Sequence, residues 1–311
     1  MIISVKGLRK SFKKQIVLDD IDFNVAEGSI FSLLGANGAG KTTTVHILST
    51  LIRKDGGAVN IAGINLDHNP EAVRSIISVT GQFSAVDNVL TGEENMLLMA
   101  KLRHLNRRDG QRRSTELLER FDLAEAAKKP VSTYSGGMRR KLDLAMSLMG
   151  DPRIVFLDEP TTGLDPRSRQ MMWGLIRDLA NRGVTLFLTT QYLEEADQLA
   201  HRIAVLHKGQ IAAEGTPTEL KRRLSGGHVQ LEFADEDGLE KAQRLLSITA
   251  KDETAFTMRV PTNGSVTALR ELLERLDAAS IAVAGVSVHT PDLDDVFFAL
   301  TSETNLKEVV S

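Results

Sequence analysis

An octapeptide near the N-terminus reads Gly35-Ala36-Asn37-Gly38-Ala39-Gly40-Lys41-Thr42. Its two outer glycines, followed by lysine and a hydroxyl residue, form the pattern of a phosphate-binding loop. Such a loop surrounds phosphates with backbone N–H groups and a helix N-terminus, while the lysine contacts the outer phosphates and the hydroxyl can bind magnesium. The flanking residues predict a buried strand over Ser29–Leu34 and a helix over Lys41–Ile52. This order favours a phosphate loop over an ordinary glycine turn.

A second apolar run, Ile154–Leu157, predicts a buried strand that ends in the carboxylates Asp158 and Glu159. Ligands of open α/β sheets bind beyond the carboxyl ends of the strands. Asp158 there suits a magnesium shell, and Glu159 suits polarising an attacking water molecule. Alone, such a strand end is more often an exposed acidic turn, but a neighbouring phosphate loop favours the functional interpretation.

The composition is that of an ordinary soluble globular protein. The chain has 311 residues, of which 42% are hydrophobic and 25% charged. Its net charge of -3 does not suggest a protein that neutralises a nucleic-acid backbone. The lack of cysteine excludes disulfides, thiol nucleophiles and cysteine-bound metals. No apolar run approaches the roughly 18 residues of a transmembrane helix, so we expect a cytoplasmic chain.

About the first 200 residues alternate β-rich runs with helical patterns, which indicates an α/β fold with a largely parallel sheet. A third buried strand is predicted over Val184–Thr189, and further helices over Gly136–Met149 and Arg169–Asn181. The N-terminal segment differs, because its apolar residues alternate as in strands of an antiparallel layer: Ile3, Val5, Ile21, Phe23 and Val25.

The pattern changes again at Ser225-Gly226-Gly227, which we interpret as a hinge. We therefore predict a first domain over residues 1–224, with a helical subdomain over about 85–150, and a second domain over residues 225–311. The second domain has the order strand, helix, two strands, helix, strand, typical of a small ferredoxin-like α+β module. A final helix is predicted over Asp292–Leu300.

Two further runs carry a family resemblance: Thr133-Tyr134-Ser135-Gly136-Gly137-Met138-Arg139-Arg140 and Leu157-Asp158-Glu159-Pro160-Thr161-Thr162-Gly163-Leu164-Asp165-Pro166. With the phosphate loop, they resemble the signature motif, Walker B motif and D-loop of ATP-binding cassette (ABC) ATPases, in order and spacing, over about residues 1–220. The resemblance implies a P-loop cassette with a mixed-sheet core, an antiparallel β layer and a helical subdomain.

A finer resemblance is to the daunorubicin- and doxorubicin-resistance type of drug-exporter ATPase subunit. It rests on Thr189-Thr190-Gln191-Tyr192-Leu193-Glu194-Glu195-Ala196-Asp197 and on Pro291-Asp292-Leu293-Asp294-Asp295-Val296-Phe297.

The ABC resemblance implies roles for particular residues. Phe12 would stack on adenine, a core position being the alternative, and Gln82 would touch magnesium or water and couple to a membrane partner. The helix start at Ser135 would grip the γ-phosphate held by another subunit, an ordinary serine N-cap being the alternative. The implied nucleotide-binding residues are Phe12, Gly35, Asn37, Gly38, Gly40, Lys41, Thr42, Thr43, Ser135, Gly136, Gly137 and Asp165. The implied catalytic residues are Glu159, Gln191 and Gln82, and the implied magnesium ligands are Thr42, Gln82 and Asp158.

Three positions depart from the family pattern. Tyr134 stands where the usual Leu-Ser-Gly-Gly-Gln signature has leucine. Met138 replaces the usual glutamine of the signature and lacks its amide. Gln191 stands where most relatives carry a histidine that contacts the γ-phosphate. Glutamine can donate a hydrogen bond but cannot carry charge or shuttle a proton. Hydrolysis is then either slow, or supported by Glu159 with Gln191 as a neutral positioning group, or lost in a degenerate site.

The resemblance implies an ATPase subunit that binds ATP and Mg²⁺, works as a homodimer or paired cassette closing on two ATP, and powers a separate membrane permease at the inner face of the cell membrane. We expect export of hydrophobic drugs or lipids and no nucleic-acid partner. The alternative is an ABC ATPase that acts on ribosomes or DNA. Such proteins usually carry long basic insertions, and this sequence shows none. The permease is expected to dock on Gly92–Leu123, where an apolar set is either exposed or core: Met96, Leu97, Met99 and Leu102. The C-terminal domain would serve dimerisation, regulation or permease contact.

Overall fold

The computed structural model describes residues 1–81, 85–222, 227–246, 251–252, 256–262, 265–289 and 292–301. The chain forms two compact units, Met1–Pro217 and Thr218–Ser311. The domain boundary predicted at residue 225 lies a few residues beyond this division.

Strands and helices alternate along the first unit. Its strands are β1 (Ile3–Phe12), β2 (Gln15–Val25), β3 (Ile30–Leu34), β4 (Gly56–Ile61), β5 (Ile64–Asn65), β6 (Ile77–Thr80), β7 (Ile154–Asp158), β8 (Thr185–Thr190), β9 (Arg202–His207) and β10 (Gln210–Gly215). Its helices are α1 (Lys41–Leu48), α2 (Pro70–Ile76), α3 (Gly92–Leu102), α4 (Arg107–Arg120), α5 (Gly136–Ser147), α6 (Pro166–Asn181) and α7 (Leu193–Leu199), with 3₁₀ turns at Ala124–Ala126 and Val131–Thr133.

The central sheet has the strand order β10-β9-β3-β8-β7-β6, and β9 through β6 are parallel. All residues of β3, β7 and β8 are buried. Strands covered on both faces have continuous apolar runs, which is why the sequence reveals them clearly. The carboxyl ends of these three adjacent strands therefore lie at one edge of the sheet. The predicted α/β class with a largely parallel sheet is confirmed.

The N-terminal strands form an antiparallel layer in the order β2-β1-β4-β5. Aromatic rings join this layer to the central sheet. The ring of Phe23 on β2 lies 5.3 Å from that of Phe31 on β3 and 5.7 Å from that of Phe187 on β8, measured between centroids. Such aromatic pairs add about 0.5–1.5 kcal/mol each beyond the burial of their area. This contact fixes one face of the sheet.

A second apolar cluster combines residues of the central sheet with residues of α3, α4, α5 and α6. Met96 of α3 is fully buried in it, so the expectation that Met96 is exposed is wrong and the core alternative holds there. Leu102, by contrast, is 65% exposed. The side chains of Thr91 and Glu94 form a capping box at the start of α3, which fixes where that helix begins.

Three helices differ in length from their predictions, and α5 is one of them, since it ends at Ser147 rather than Met149. Helix α1 ends at Leu48 rather than Ile52, because Thr50 takes a left-handed backbone conformation with φ of 66°. Helix α6 begins at Pro166 rather than Arg169, because the side chain of Asp165 accepts a hydrogen bond from the N–H of Ser168 and caps the helix. Proline at the first helical position fits this start.

The second unit is built around its own sheet and apolar cluster. Its elements, after α8 (Pro217–Arg222) at the unit boundary, are β11 (Gly227–Glu232), α9 (Glu236–Leu246), β12 (Lys251–Asp252), β13 (Thr257–Thr262), α10 (Val266–Ala278), β14 (Gly285–His289) and α11 (Leu293–Thr301). The sheet is antiparallel in the order β12-β13-β11-β14. This is the split βαβ arrangement expected of a ferredoxin-like module.

Within the described ranges, no helix combines the length and apolar character needed to cross a membrane.

Candidate functional site

The glycine-rich loop joins β3 to α1 at the edge where the strands end. The N–H of Gly35 donates to the carbonyl of Thr190, the last residue of β8, at 3.2 Å. A Cβ on Gly35 would lie 2.5 Å from the carbonyl oxygen of Leu206, and Gly40 has a φ of 111°, so neither position accepts a side chain. The two glycines that mark the motif are therefore required by close packing and by backbone conformation.

The side chain of Lys41 is folded back over this loop. Its Nζ donates to the carbonyls of Gly35 and Ala36, at 2.9 and 3.1 Å. It also lies 3.4 Å from Oε1 of Glu159, and the side chains of Lys41 and Glu159 are only 4% and 8% exposed. The end of β7 thus brings a carboxylate directly to the phosphate loop.

Asp158 is buried beneath the same loop. Its Oδ1 accepts hydrogen bonds from the hydroxyl of Thr42, at 3.3 Å, and from the hydroxyl of Thr189 on β8. Hydroxyl and carboxylate oxygens are the hard donors that Mg²⁺ prefers, so this pair fits a magnesium ion. The described residues contain no cluster of three or more acidic or histidine side chains that could bind a metal without further ligands. The remaining ligands of a magnesium ion here would be oxygen atoms of water or of a bound phosphate.

Glu159 has an unusual backbone conformation. Its φ is 50°, in the left-handed region that residues with side chains rarely adopt. Its N–H donates to the carbonyl and the hydroxyl of Thr189, at 3.1 and 3.2 Å, and the hydroxyl of Thr162 donates to its Oε2 at 3.3 Å. These contacts hold a strained residue in one orientation, which is common at functional sites.

Part of the phosphate loop and Glu159 line a cleft of about 370 Å³. Its walls are formed by Phe12, Val17, Asn37, Gly38, Gly40, Lys41, Thr42, Thr43 and Glu159. Phe12 is 48% exposed, so it offers an aromatic surface to the cleft and is not a core residue. The structure thus brings one aromatic ring, the phosphate loop and a carboxylate together in a single depression.

An ion pair between Lys10 and Asp55, next to the Phe12 ring, was not predicted from the sequence. Nζ of Lys10 lies 5.2 Å from the centroid of the Phe12 ring and 2.8 Å from Oδ1 of Asp55. Asp55 also accepts from the N–H of Ser11 at 2.7 Å and donates its own N–H to the carbonyl of Arg9 at 2.9 Å. Asp55 therefore anchors the end of β1 just before Phe12. The bonds from Lys10 and Ser11 lower the pKa of Asp55.

The remaining predicted site residues lie outside the lining of this cleft. Ser135 caps α5, its hydroxyl accepting from the N–H of Met138 at 3.2 Å, and Ser135 and Gly136 are exposed. A Cβ on Gly137 would lie 2.8 Å from Oγ of Ser168, in the first turn of α6, so the two helix starts are adjacent. Hydrogen bonds from Ser168 hold the pKa of the exposed Asp165 below its ordinary value.

Gln191 and Gln82 complete the predicted set. Gln191 is partly buried and follows Thr190, whose carbonyl holds Gly35 of the loop. Gln82 lies outside the described residues. Four residues after Gln191, Glu195 is fully buried. It accepts hydrogen bonds from the hydroxyl of Thr161, at 2.7 Å, and from the indole N–H of Trp173, at 3.1 Å. Burial raises the pKa of Glu195, and these hydrogen bonds oppose the shift.

Taken together, the fold and the cleft define an ATP-binding cassette of the ABC transporter class. The family described as "ABC transporter" matches residues 18–162, and the one described as "ATP-binding protein DrrA1-3-like, C-terminal domain" matches residues 215–301. A solved structure described as the ATP-binding subunit of an ABC transporter is 29% identical, covers 72% of this chain and 93% of its own, and has a TM-score of 0.64. The class and the ATPase activity it carries are thereby established.

The chain belongs to the family of the daunorubicin and doxorubicin resistance ATP-binding proteins. Daunorubicin resistance ATP-binding protein DrrA2 of Streptomyces coeruleorubidus is 44% identical, over 96% of this chain and 94% of its own length. Doxorubicin resistance ATP-binding protein DrrA of Mycobacterium tuberculosis is also 44% identical, over 97% and 94%. The resemblance stated from the sequence motifs is confirmed.

We predict that Asp55→Asn weakens ATP binding without slowing hydrolysis. The change removes the charge that pairs with Lys10, so the end of β1 that carries Phe12 becomes less well fixed. The KM for ATP should rise several-fold while kcat changes by less than about twofold, as for an interaction made equally in ground and transition states.

A matched control is Asp67→Asn, which breaks a similar pair between Oδ2 of Asp67 and Nζ of Lys54, at 2.8 Å. Steady-state ATPase kinetics on both variants measure the KM for ATP and kcat. Equal KM values for the two variants would contradict the role assigned to Asp55.

Proposed function

We propose that the chain hydrolyses Mg-ATP in this cleft as one half of a head-to-tail dimer, and that hydrolysis drives a separate membrane permease. One observation carries the proposal, namely that the phosphate loop and the end of β7 meet. Nζ of Lys41 lies 3.4 Å from Glu159, and the hydroxyl of Thr42 lies 3.3 Å from Asp158. A phosphate-binding cation, a hydroxyl and two carboxylates at these distances are the parts that phosphoryl transfer needs.

The phosphates of ATP would lie against the loop from Asn37 to Thr43. Its backbone N–H groups and the N-terminus of α1 favour negative charge there. Lys41 supplies a point charge for the outer phosphates. Magnesium would be held by Thr42 and Asp158 and would neutralise phosphate charge. The half-exposed ring of Phe12 would stack on adenine, with Lys10 behind it.

Glu159 is assigned as the general base. Its carboxylate lines the cleft and accepts a hydrogen bond from the hydroxyl of Thr162, while its backbone N–H donates to the hydroxyl of Thr189. It would accept the proton of a water molecule that attacks the γ-phosphorus, while Lys41 stabilises the charge on the phosphate. Gln191 would position the γ-phosphate through its neutral amide. Gln82 keeps the role that the resemblance implies, contact with magnesium or water.

Residues that lie outside the cleft support the proposed dimer. Ser135 and Gly136 start α5 as an exposed helix N-terminus, which favours anions. Asp165 lies at the adjacent start of α6. In a head-to-tail pair, these helix starts would close over the ATP bound by the other copy. Each of two sites would then combine a phosphate loop from one chain with Ser135, Gly136 and Gly137 from its partner.

The class of compound that the complex would transport is proposed from the names of the relatives. They are named for resistance to daunorubicin and doxorubicin, which supports export of hydrophobic compounds by the complex. A separate permease would place this chain at the inner face of the cell membrane. Leu98 and Leu102 of α3 are 44% and 65% exposed, and they support docking of the permease on the helical region.

The proposal predicts that Glu159→Gln retains ATP binding and loses hydrolysis. Removing a general base lowers turnover by about 10²–10⁴-fold. The closed dimer should then persist, because ATP stays intact. Single-turnover hydrolysis and light scattering in Mg-ATP measure the two effects. Glu119→Gln, at an exposed position of α4, is the control. Hydrolysis by Glu159→Gln at the parent rate would refute the assignment.

Gln191 gives a separate prediction. Gln191→Ala should lower kcat roughly tenfold, because a hydrogen bond to a charged phosphate contributes about 1.5–3 kcal/mol. Gln191→His should keep or raise kcat and introduce a titration near pH 6.5, as expected for an imidazole. Rate profiles between pH 5.5 and about 8.5 test both changes. An unchanged kcat for Gln191→Ala would show that the γ-phosphate is contacted elsewhere.

A further inference from the structure

The side chain of Arg140 on α5 contacts four backbone carbonyls from two separate segments. Nε donates to Pro160 at 2.8 Å, and Nη2 donates to Asp158 and Glu159 at 3.2 and 3.1 Å. Nη1 donates to Gly81 at 3.0 Å. Arg140 therefore binds the backbone on both sides of Glu159. It also links that backbone to Gly81, the residue that follows β6.

The guanidinium is held in a fixed orientation. The side chain of Arg140 is only 13% exposed, and Nη1 lies 3.5 Å from Oδ2 of the buried Asp143, one turn further along α5. Burial lowers the pKa of Arg140, and the carboxylates of Asp143, Asp158 and Glu195 oppose that shift. Arginine stays protonated in proteins, so the group remains a cation. A buried cation with several donors needs a defined set of acceptors.

Three of these carbonyls, those of Asp158, Glu159 and Pro160, belong to the stretch of backbone that carries the Glu159 side chain. The φ of Glu159 is 50°, and its N–H is held by Thr189 on β8. Arg140 donates to the carbonyls of Asp158 and Glu159, so the peptide groups before and after the Glu159 Cα are both held by hydrogen bonds. A left-handed residue fixed in this way cannot relax to a common conformation without losing these bonds.

The same turn of α5 reaches the backbone on either side of residues 82–84. Arg140 contacts the carbonyl of Gly81, and Oδ1 of Asp143 accepts from the N–H of Ala85 at 3.3 Å. One buried ion pair thus joins the signature helix, the end of β7 and the chain after β6. A displacement of Gly81 would act on Glu159 through one guanidinium.

We propose that Arg140 is a positioning residue for hydrolysis, which fixes the backbone of Asp158, Glu159 and Pro160 so that the Glu159 carboxylate faces the cleft. The proposal rests on the proposed role of Glu159 as the general base. Arg140 is not among the residues that line the nucleotide cleft, so the proposed role is exerted through Glu159 and not through contact with ATP.

The test is a double-mutant cycle measured by single-turnover hydrolysis. Arg140→Ala should lower the rate at least tenfold while the KM for ATP stays within about twofold, because an interaction that aligns the base leaves ground-state binding unchanged. In the Glu159→Gln background, Arg140→Ala should have little further effect, since residues that act as a unit are not additive. Lys141→Ala is the control: Lys141 follows Arg140 on α5 and pairs with Asp122 outside that helix, so its removal should leave the rate unchanged.

Chemical rescue separates positioning from general structural support. Guanidinium chloride should restore part of the rate of Arg140→Ala, and methylammonium chloride at equal ionic strength should not. Arg140→Lys should stay impaired, because an ammonium group cannot reproduce the planar fork. If Arg140→Ala does not fold, Arg140→Lys carries the same cycle with Glu159→Gln.

Three results would overturn the proposal: a parent-like rate for Arg140→Ala or Arg140→Lys, an equal loss with and without Glu159, or a rise in KM that accounts for the whole effect. Parent-like hydrolysis by Glu159→Gln alone would instead refute the general-base assignment, so the two failures are distinguishable.

Discussion

The site depends on the hydrogen bonds to one buried carboxylate, that of Asp158. It lies at the end of β7 and accepts from Thr42 at the start of α1 and from Thr189 on β8. A buried carboxylate without such partners would cost several kcal/mol. These contacts therefore fix the phosphate loop against two strands of the central sheet. The positions of Lys41 and Glu159, and hence the cleft, follow from that alignment.

The layers of the first unit cover both faces of the central sheet. One face of the central sheet packs against the antiparallel layer through Phe23, and the other packs against the helices that include α5 and α6. The two helix starts, at Ser135 and Asp165, are adjacent and exposed, while the phosphate loop opens into the cleft. In the proposed head-to-tail dimer, these exposed helix starts would lie over the ATP bound in the cleft of the other copy.

The elements that the sequence predicts well are those governed by local rules. Strand β7 is a continuous apolar run, and the glycine loop is a contiguous motif, so both could be recognised without the structure. The early start of α6 could also have been predicted from Asp165-Pro166, since aspartate at the cap and proline at the first position mark a helix start. The end of α1 could not, because nothing in the sequence signals the left-handed Thr50.

Contacts between distant residues were the part that could not be predicted. Lys10 and Asp55 are far apart in the chain, and their pairing depends on how β1 and β4 align. Arg140 looks like one more cation in a basic run until the fold places four carbonyls around it. The sequence identified an apolar set that includes Met96 but left open whether it is exposed or core, and only the fold places Met96 inside the core.

A crystal structure with Mg²⁺ and a non-hydrolysable ATP analogue is the most direct test of this arrangement. The account predicts magnesium about 2.0–2.1 Å from Oγ1 of Thr42, with Asp158 as a direct or water-bridged ligand. The terminal phosphate should lie beside Lys41 and Glu159, and adenine should lie on Phe12. A nucleotide whose phosphates lie outside the loop, or a metal that neither Thr42 nor Asp158 contacts, would contradict it.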